Sequence, residues 1–186
     1  MPNDTTRIYY ATRDGQSRRI AEHIARRLAE TGTSALPRDL APTLPPSGEL
    51  AKASLIVLVA AVRYGRHLPE ADRFLAAYQA VPSPPPLVLA SVNLSARKPS
   101  KGDRIGNPYL RKLIARHRLR PILAVAFAGR LDYARYGWLD RQIIRFIMRL
   151  TGGPTDPATC IEYTSWRAVD ELAAQIAGLR RSASLV

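Results

Sequence analysis

Four short apolar runs constrain this chain more than any other feature. They lie at residues 8–11, 54–62 ("SLIVLVAAV"), 87–92 ("LVLASV") and 122–128 ("ILAVAFA"). None alternates apolar with polar residues, so each reads as a strand buried on both faces, the pattern of a parallel sheet with helices on either side. A weaker run at 33–36 predicts a fifth strand. Helical patterns fill the gaps. At 17–30, Ile20, Ile24 and Leu28 recur at i, i+4 and i+8, one face of a helix. Residues 69–80, 108–118 and 165–179 are further helices, the last with Val169, Leu172 and Ile176 in a stripe and Ser165 as its N-cap. Strands alternating with helices predict an α/β fold, a doubly wound five-stranded parallel sheet with helices on both faces. The 186 residues form a single domain, 1–186, since no linker interrupts the pattern. The proline-rich 36–48 reads as a loop, and "PSPPP" at 82–86 as a rigid entry into the fourth strand.

In such a sheet, ligands bind beyond the carboxyl ends of the strands. The first loop there is Thr12, Arg13, Asp14, Gly15, Gln16 and Ser17. Hydroxyls stand at both ends, a glycine permits a tight turn, and the amides of a helix N-terminus follow. That set suits a phosphate. The plainer reading is that Ser17 caps its helix and Gly15 makes the turn. The nucleoside-triphosphate and dinucleotide glycine motifs are absent. The third strand ends in Arg63, Tyr64 and Gly65, an aromatic and a glycine suited to walling a planar ring, or else a turn with a surface tyrosine. The fourth runs into Ser91, Val92, Asn93 and Leu94, with polar contacts at the same edge. One phosphate-suited loop and two ring-suited loops at one edge describe a flavodoxin-like mononucleotide site, with FMN as its natural occupant.

The chain also resembles the menaquinone-dependent protoporphyrinogen IX dehydrogenases, over nearly its whole length. The strings that carry the resemblance are "TRDGQS" followed by "RRIA", "RYG" at 63–65, "SVNLSARKP" at 91–99, "AGRLDYARYGWLDRQIIRFIMRLTGG" at 128–153 and "TD" at 155–156. The second and third of the longer strings set these proteins apart from ordinary flavodoxins. Ala11 stands where the family has a serine opening the phosphate loop. The resemblance implies oxidation of protoporphyrinogen IX to protoporphyrin IX in heme biosynthesis, with electrons passed through FMN to menaquinone or ubiquinone. It implies a peripheral protein on the cytoplasmic face of the inner membrane.

Residues 129–156 form an insertion between the fifth strand and "TCIEYT" at 159–164, which reads as a continuation of the same edge strand. Within it Arg141, Arg145 and Arg149 share one helical stripe, and Ile143, Ile147 and Leu150 another, joined by Trp138 and Phe146. A short basic amphipathic helix of this kind suits an anionic membrane surface, with Tyr133, Tyr136 and Trp138 at the interface. The plainer alternative is a solvated charged face whose apolar residues pack on the domain. The chain carries 28 Lys and Arg against 15 Asp and Glu, a net +13. Residues 97–149 hold fourteen of those bases against Asp103, Asp132 and Asp140. Each base near an anionic leaflet contributes about 1 kcal/mol, and the same arginines suit the propionates of a tetrapyrrole.

His23, His67 and His117 are scattered without metal spacing and read as surface or helix-face residues, so no catalytic acid or base is assigned. Cys160 reads as a buried thiol. The N-terminus shows no secretory signal and no window is apolar enough to span a bilayer. Three alternatives stand beside the dehydrogenase. The charge argues against an electron-carrier flavodoxin. Nothing marks a nicotinamide site for an NAD(P)H:quinone reductase. A basic membrane- or nucleic-acid-binding module leaves the phosphate loop unexplained, and no base-reading motif is present, so no nucleic acid is expected.

Overall fold

The computed structural model describes residues 5–102 and 106–183, so Asp103 and Arg104 of the basic stretch lie outside the described residues. Strands β1 (Thr6–Ala11), β2 (Pro37–Asp39), β3 (Leu55–Arg63), β5 (Leu87–Val92) and β6 (Leu123–Phe127) form a parallel sheet in the order β2-β1-β3-β5-β6. A two-residue strand, β4 (Arg66–His67), folds back antiparallel on β3.

The apolar runs are continuous because the two faces of each strand meet different helices. Ile8, Tyr10, Val57, Val59 and Val88 face α1 (Gln16–Ala29) and α6 (Trp166–Ala183), packing on Ile20, Ile24, Val169 and Ile176. Tyr9, Ile56, Leu58 and Leu89, one residue out of phase, face α3 (Pro69–Gln79) and α4 (Pro108–Arg116), packing on Phe74, Leu75 and Leu110. Each fully buried side chain of this size contributes about 1.5–3 kcal/mol. Ser165 accepts the Ala168 amide at 3.3 Å before α6, the expected cap. Register aligns the strand ends: Ala11 pairs with Ala60, Ala60 with Ser91, and Ala61 with Val92. The loops after β1, β3 and β5 therefore leave the sheet side by side.

Three features depart from expectation. The second strand is Pro37–Asp39, inside the proline-rich stretch read as a loop, and not 33–36; the same stretch ends in a short helix, α2 (Ser47–Ala51). Leu36 is 87% exposed, whereas Leu40 is buried and its amide bonds Tyr10 O at 3.0 Å. The edge position decides this, since a proline that cannot donate is tolerated at the start of an edge strand. Residues 159–164 do not extend β6. Instead β8 (Cys160–Glu162) pairs antiparallel with β7 (Arg130–Asp132) in a separate ribbon, because the returning chain meets the strand that has just left the sheet. Cys160 is exposed there, not buried, with Arg130 Nη2 at 3.1 Å from its sulfur.

The insertion has its own small core of Leu131, Tyr133, Tyr136 and Met148. Its helix α5 (Trp138–Thr151) has Met148 as its buried residue. Among the described residues no helix is long and apolar enough to cross a membrane.

Candidate cofactor site

At the end of β1 the chain closes a small loop before α1 begins. The Gly15 amide donates to Thr12 Oγ1 at 3.0 Å. Gly15 itself is the N-cap of α1 and offers no side chain to the first-turn amides. Ser17 does not cap the helix. It is fully buried, and its hydroxyl has no hydrogen-bond partner. A buried hydroxyl left unpaired costs about 1–3 kcal/mol. It stands in the first turn of a helix whose free amides and dipole attract anions, and it lines the cleft. The orphaned hydroxyl therefore fits a phosphate oxygen, the group that the loop composition predicted.

The third-strand loop is a tight hairpin. Arg63 pairs with Arg66 across it, leaving Tyr64 and Gly65 as the two central residues, with φ of 50° and 77°. A two-residue turn that matches strand twist needs positive φ at both positions, which explains the glycine. Tyr64 is 46% exposed at the cleft wall. The Arg63 guanidinium donates to both oxygens of Asp14, at 3.1 and 2.8 Å, and so neutralises a carboxylate that would repel a phosphate. It also donates to Asp140 of α5.

At the end of β5 and beyond it, Val92, Asn93 and Leu94 line the cleft, whereas Ser91 is buried and does not. Asn93 is held on all sides. Its oxygen accepts from Ser95 Oγ at 2.7 Å, the Ala96 amide at 3.2 Å and Asn107 Nδ2 at 3.0 Å. Its amide nitrogen donates to Ser91 Oγ at 3.0 Å. His67 is buried against Ser91, unlike the surface role expected of it, and burial lowers its pKa to about 4.

Of the thirteen residues named from sequence, ten line one cleft: Thr12, Asp14, Gln16, Ser17, Arg63, Tyr64, Gly65, Val92, Asn93 and Leu94. Gln16 is engaged by its neighbours, donating to Thr164 Oγ1 at 2.8 Å and Glu162 Oε1 at 3.1 Å. Arg13 is exposed, and neither it nor Gly15 nor buried Ser91 lines the cleft.

The roof was not anticipated. It comes from the insertion: Tyr136, Ile144, Ile147, Met148 and Thr151 face the cleft. The signal was present as a third stripe of α5, Asp140, Ile144, Met148 and Thr151, spaced three or four residues apart. The basic stripe is not free as expected. Arg141 Nε donates to Tyr133 O at 3.1 Å and Arg145 Nε to Thr155 O at 2.9 Å. Tyr133 and Tyr136 are buried and not interfacial, whereas Trp138 is exposed.

The family model of the flavodoxin domain matches residues 7–158. The chain belongs to the flavodoxin-domain family. Within it, the chain is similar to protoporphyrinogen IX dehydrogenase (quinone) of Escherichia coli, 36% identical over 174 residues that cover 94% of this chain and 95% of that protein. A protein of the same name from Leishmania major is 37% identical over 173 residues, 92% of this chain and 74% of the relative. Among solved structures, an archaeal flavodoxin superposes with a TM-score of 0.55 at 12% identity, covering 95% of this chain and 99% of its own. The flavodoxin fold thus spans the insertion as well as the sheet.

Proposed function

We propose that this flavodoxin-domain protein is an FMN-dependent protoporphyrinogen IX dehydrogenase that delivers electrons to a quinone. The observation that carries the reading is the partnerless Ser17 hydroxyl at the head of α1, in a chain 36% identical over 174 residues to a dehydrogenase of that name. Thr12, Ser17 and the first amides of α1 hold the phosphate. Tyr64 and the loop around Asn93 bound the ring. FMN held there would supply two-electron redox chemistry between the substrate and the quinone. Arg63 keeps Asp14 from repelling the phosphate, and Ile144 and Met148 exclude water from above. Arg130 and Arg135, which line the cleft, meet the substrate's propionates. Loss of six hydrogens from the porphyrinogen corresponds to three two-electron transfers and three quinones reduced.

The quinone is apolar and the substrate joins an apolar macrocycle to anionic propionates, and we place the protein on the membrane that dissolves the quinone. The outward stripe of α5 supports this. Leu139, Ile143, Phe146 and Leu150 are 64, 38, 64 and 70% exposed, beside Trp138 at 72%. With exposed Arg149 and a net +13, that stripe suits the headgroup region of an anionic leaflet on the cytoplasmic face. The test is anaerobic addition of protoporphyrinogen to FMN-loaded protein. The yellow flavin band should bleach as porphyrin absorption rises, and quinone should restore it. Flavin that binds but stays oxidised would refute the substrate.

A further inference from the structure

The cofactor loop, the ring-side hairpin and the roof come from three distant parts of the chain, and they meet at one carboxylate. Asp140 stands in the first turn of α5. One of its oxygens accepts from the Tyr64 hydroxyl and the other from Arg63 Nη2. The same guanidinium holds Asp14 with its other nitrogen. The Tyr64 and Tyr136 rings lie 5.2 and 5.6 Å from it and restrict its movement. Arg63 is nearly enclosed, with its side chain 12% exposed, so it cannot trade these partners freely for water.

Beside Asp140, Arg141 donates to the Tyr133 and Tyr136 carbonyls and Ile144 packs on the insertion core, contacts that hold α5 to the insertion and not to the sheet. Met148 packs in the insertion core, and Arg97 Nη2 donates to Thr151 O at 3.1 Å, both in the C-terminal half. In the N-terminal half Trp138, Leu139 and Ile143 are exposed, so little apolar burial holds it down. An acidic residue in a first turn is favoured only weakly by the helix dipole. The doubly bonded carboxylate is therefore the main tie between this half of the roof and the sheet.

We propose that Asp140 is a positioning residue, a latch that sets the height of the α5 roof and the pose of Tyr64 together over the cleft. Through Arg63 the latch also reaches Asp14, so the cofactor loop and the roof are mechanically joined. With the latch made, Ile144 and Met148 stand at a fixed distance above the ring-side walls. With it broken, the roof lifts from its N-terminal end and a bulky substrate loses its orientation, while the phosphate contacts of Ser17 persist. The substrate side of this inference rests on the dehydrogenase reading; the latch itself does not.

The experiment is hydrogen exchange of the full chain, with and without FMN, in Asp140→Asn, Tyr64→Phe and the double variant. Tyr64→Phe keeps the ring and removes only one arm of the latch. Amides of residues 141–144, the first with helical acceptors, should exchange about tenfold faster in Asp140→Asn and a few-fold faster in Tyr64→Phe. The double variant should fall short of the product of the two, as partners in one contact do. Unchanged exchange in β1, β3 and β5 shows that each variant folds. Exchange in the helix within twofold of the parent in both single variants, or strict additivity in the double, overturns the latch. In turnover, KM for protoporphyrinogen should rise about tenfold in Asp140→Asn, by more than FMN affinity falls, since the phosphate contacts at Ser17 persist. A parent protein that never bleaches would sink the dehydrogenase reading, and the exchange data would still decide the latch.

Discussion

His67 Nε2 and the Ser91 hydroxyl lie 2.9 Å apart, and both residues are buried. Ser91 also accepts from Asn93, so its one hydrogen is free to point at the imidazole. A neutral His67 completes this chain of donors. A charged one would turn a second donor on Ser91 in a dry site.

That arrangement makes stability depend on pH. Burial lowers the folded pKa of His67 from 6.5 to about 4. Below pH 6.5 the unfolded chain therefore binds a proton that the folded chain refuses, and stability falls as pH drops through this window. Near pH 5.5 the loss should be about 1.5 kcal/mol relative to pH 7.5. Urea unfolding at both pH values, compared with His67→Gln, measures it. The variant should lack this part of the slope. An equal slope in both proteins would place the histidine's proton elsewhere.

Ser17 separates two roles for one hydroxyl. A capping serine replaced by alanine costs about 1 kcal/mol of stability. Ser17 caps nothing and is unsatisfied. Ser17→Ala should therefore leave Tm unchanged or slightly raised. It should weaken FMN binding by about tenfold or more, the size of a hydrogen bond to a charged group. Calorimetry and a flavin fluorescence titration read the two effects independently.

Gly153 has room for a Cβ only if the end of Met148 moves. A Cβ there would stand 2.1 Å from Met148 Cε and 3.0 Å from its sulfur. Met148 is 1% exposed and packed against Leu131, Tyr133 and Tyr136, so it has little room to retreat. Gly153→Ala should cost about 1–3 kcal/mol. Gly48→Ala, in the short helix α2 where a Cβ meets nothing within 4 Å, should be neutral or stabilising. Chemical denaturation of the two variants checks the contrast.

The outer stripe of α5 predicts a separation of binding from folding. Phe146→Glu and Leu150→Glu replace exposed residues and should leave Tm unchanged. Both should abolish co-sedimentation with vesicles containing anionic lipid, which the parent should show and high salt should weaken. Undiminished sedimentation would move the membrane contact to another face.

The sheet was legible in the sequence because burial on both faces leaves an uninterrupted apolar run, as at Leu55–Arg63 and Leu87–Val92. The three loops were legible because turns and helix starts demand particular residues, such as Gly65 at positive φ. The second strand was not legible, because an edge strand of three residues carries no such demand and is chosen by its neighbour β1. Nor was the roof. Asp140 and Arg63 are 77 residues apart, and although Arg63 was read as part of the ring-side loop, nothing local pairs it with Asp140. Likewise nothing local marks His67 as buried or the Ser17 hydroxyl as unpartnered, since both depend on what the rest of the fold brings to them. What the sequence alone determined follows from short-range rules of periodicity and turn geometry. Which face of α5 closes the cleft, which arginines are already bonded, and which hydroxyl is left waiting were decided only by long-range packing, where a side chain's role depends on its partners.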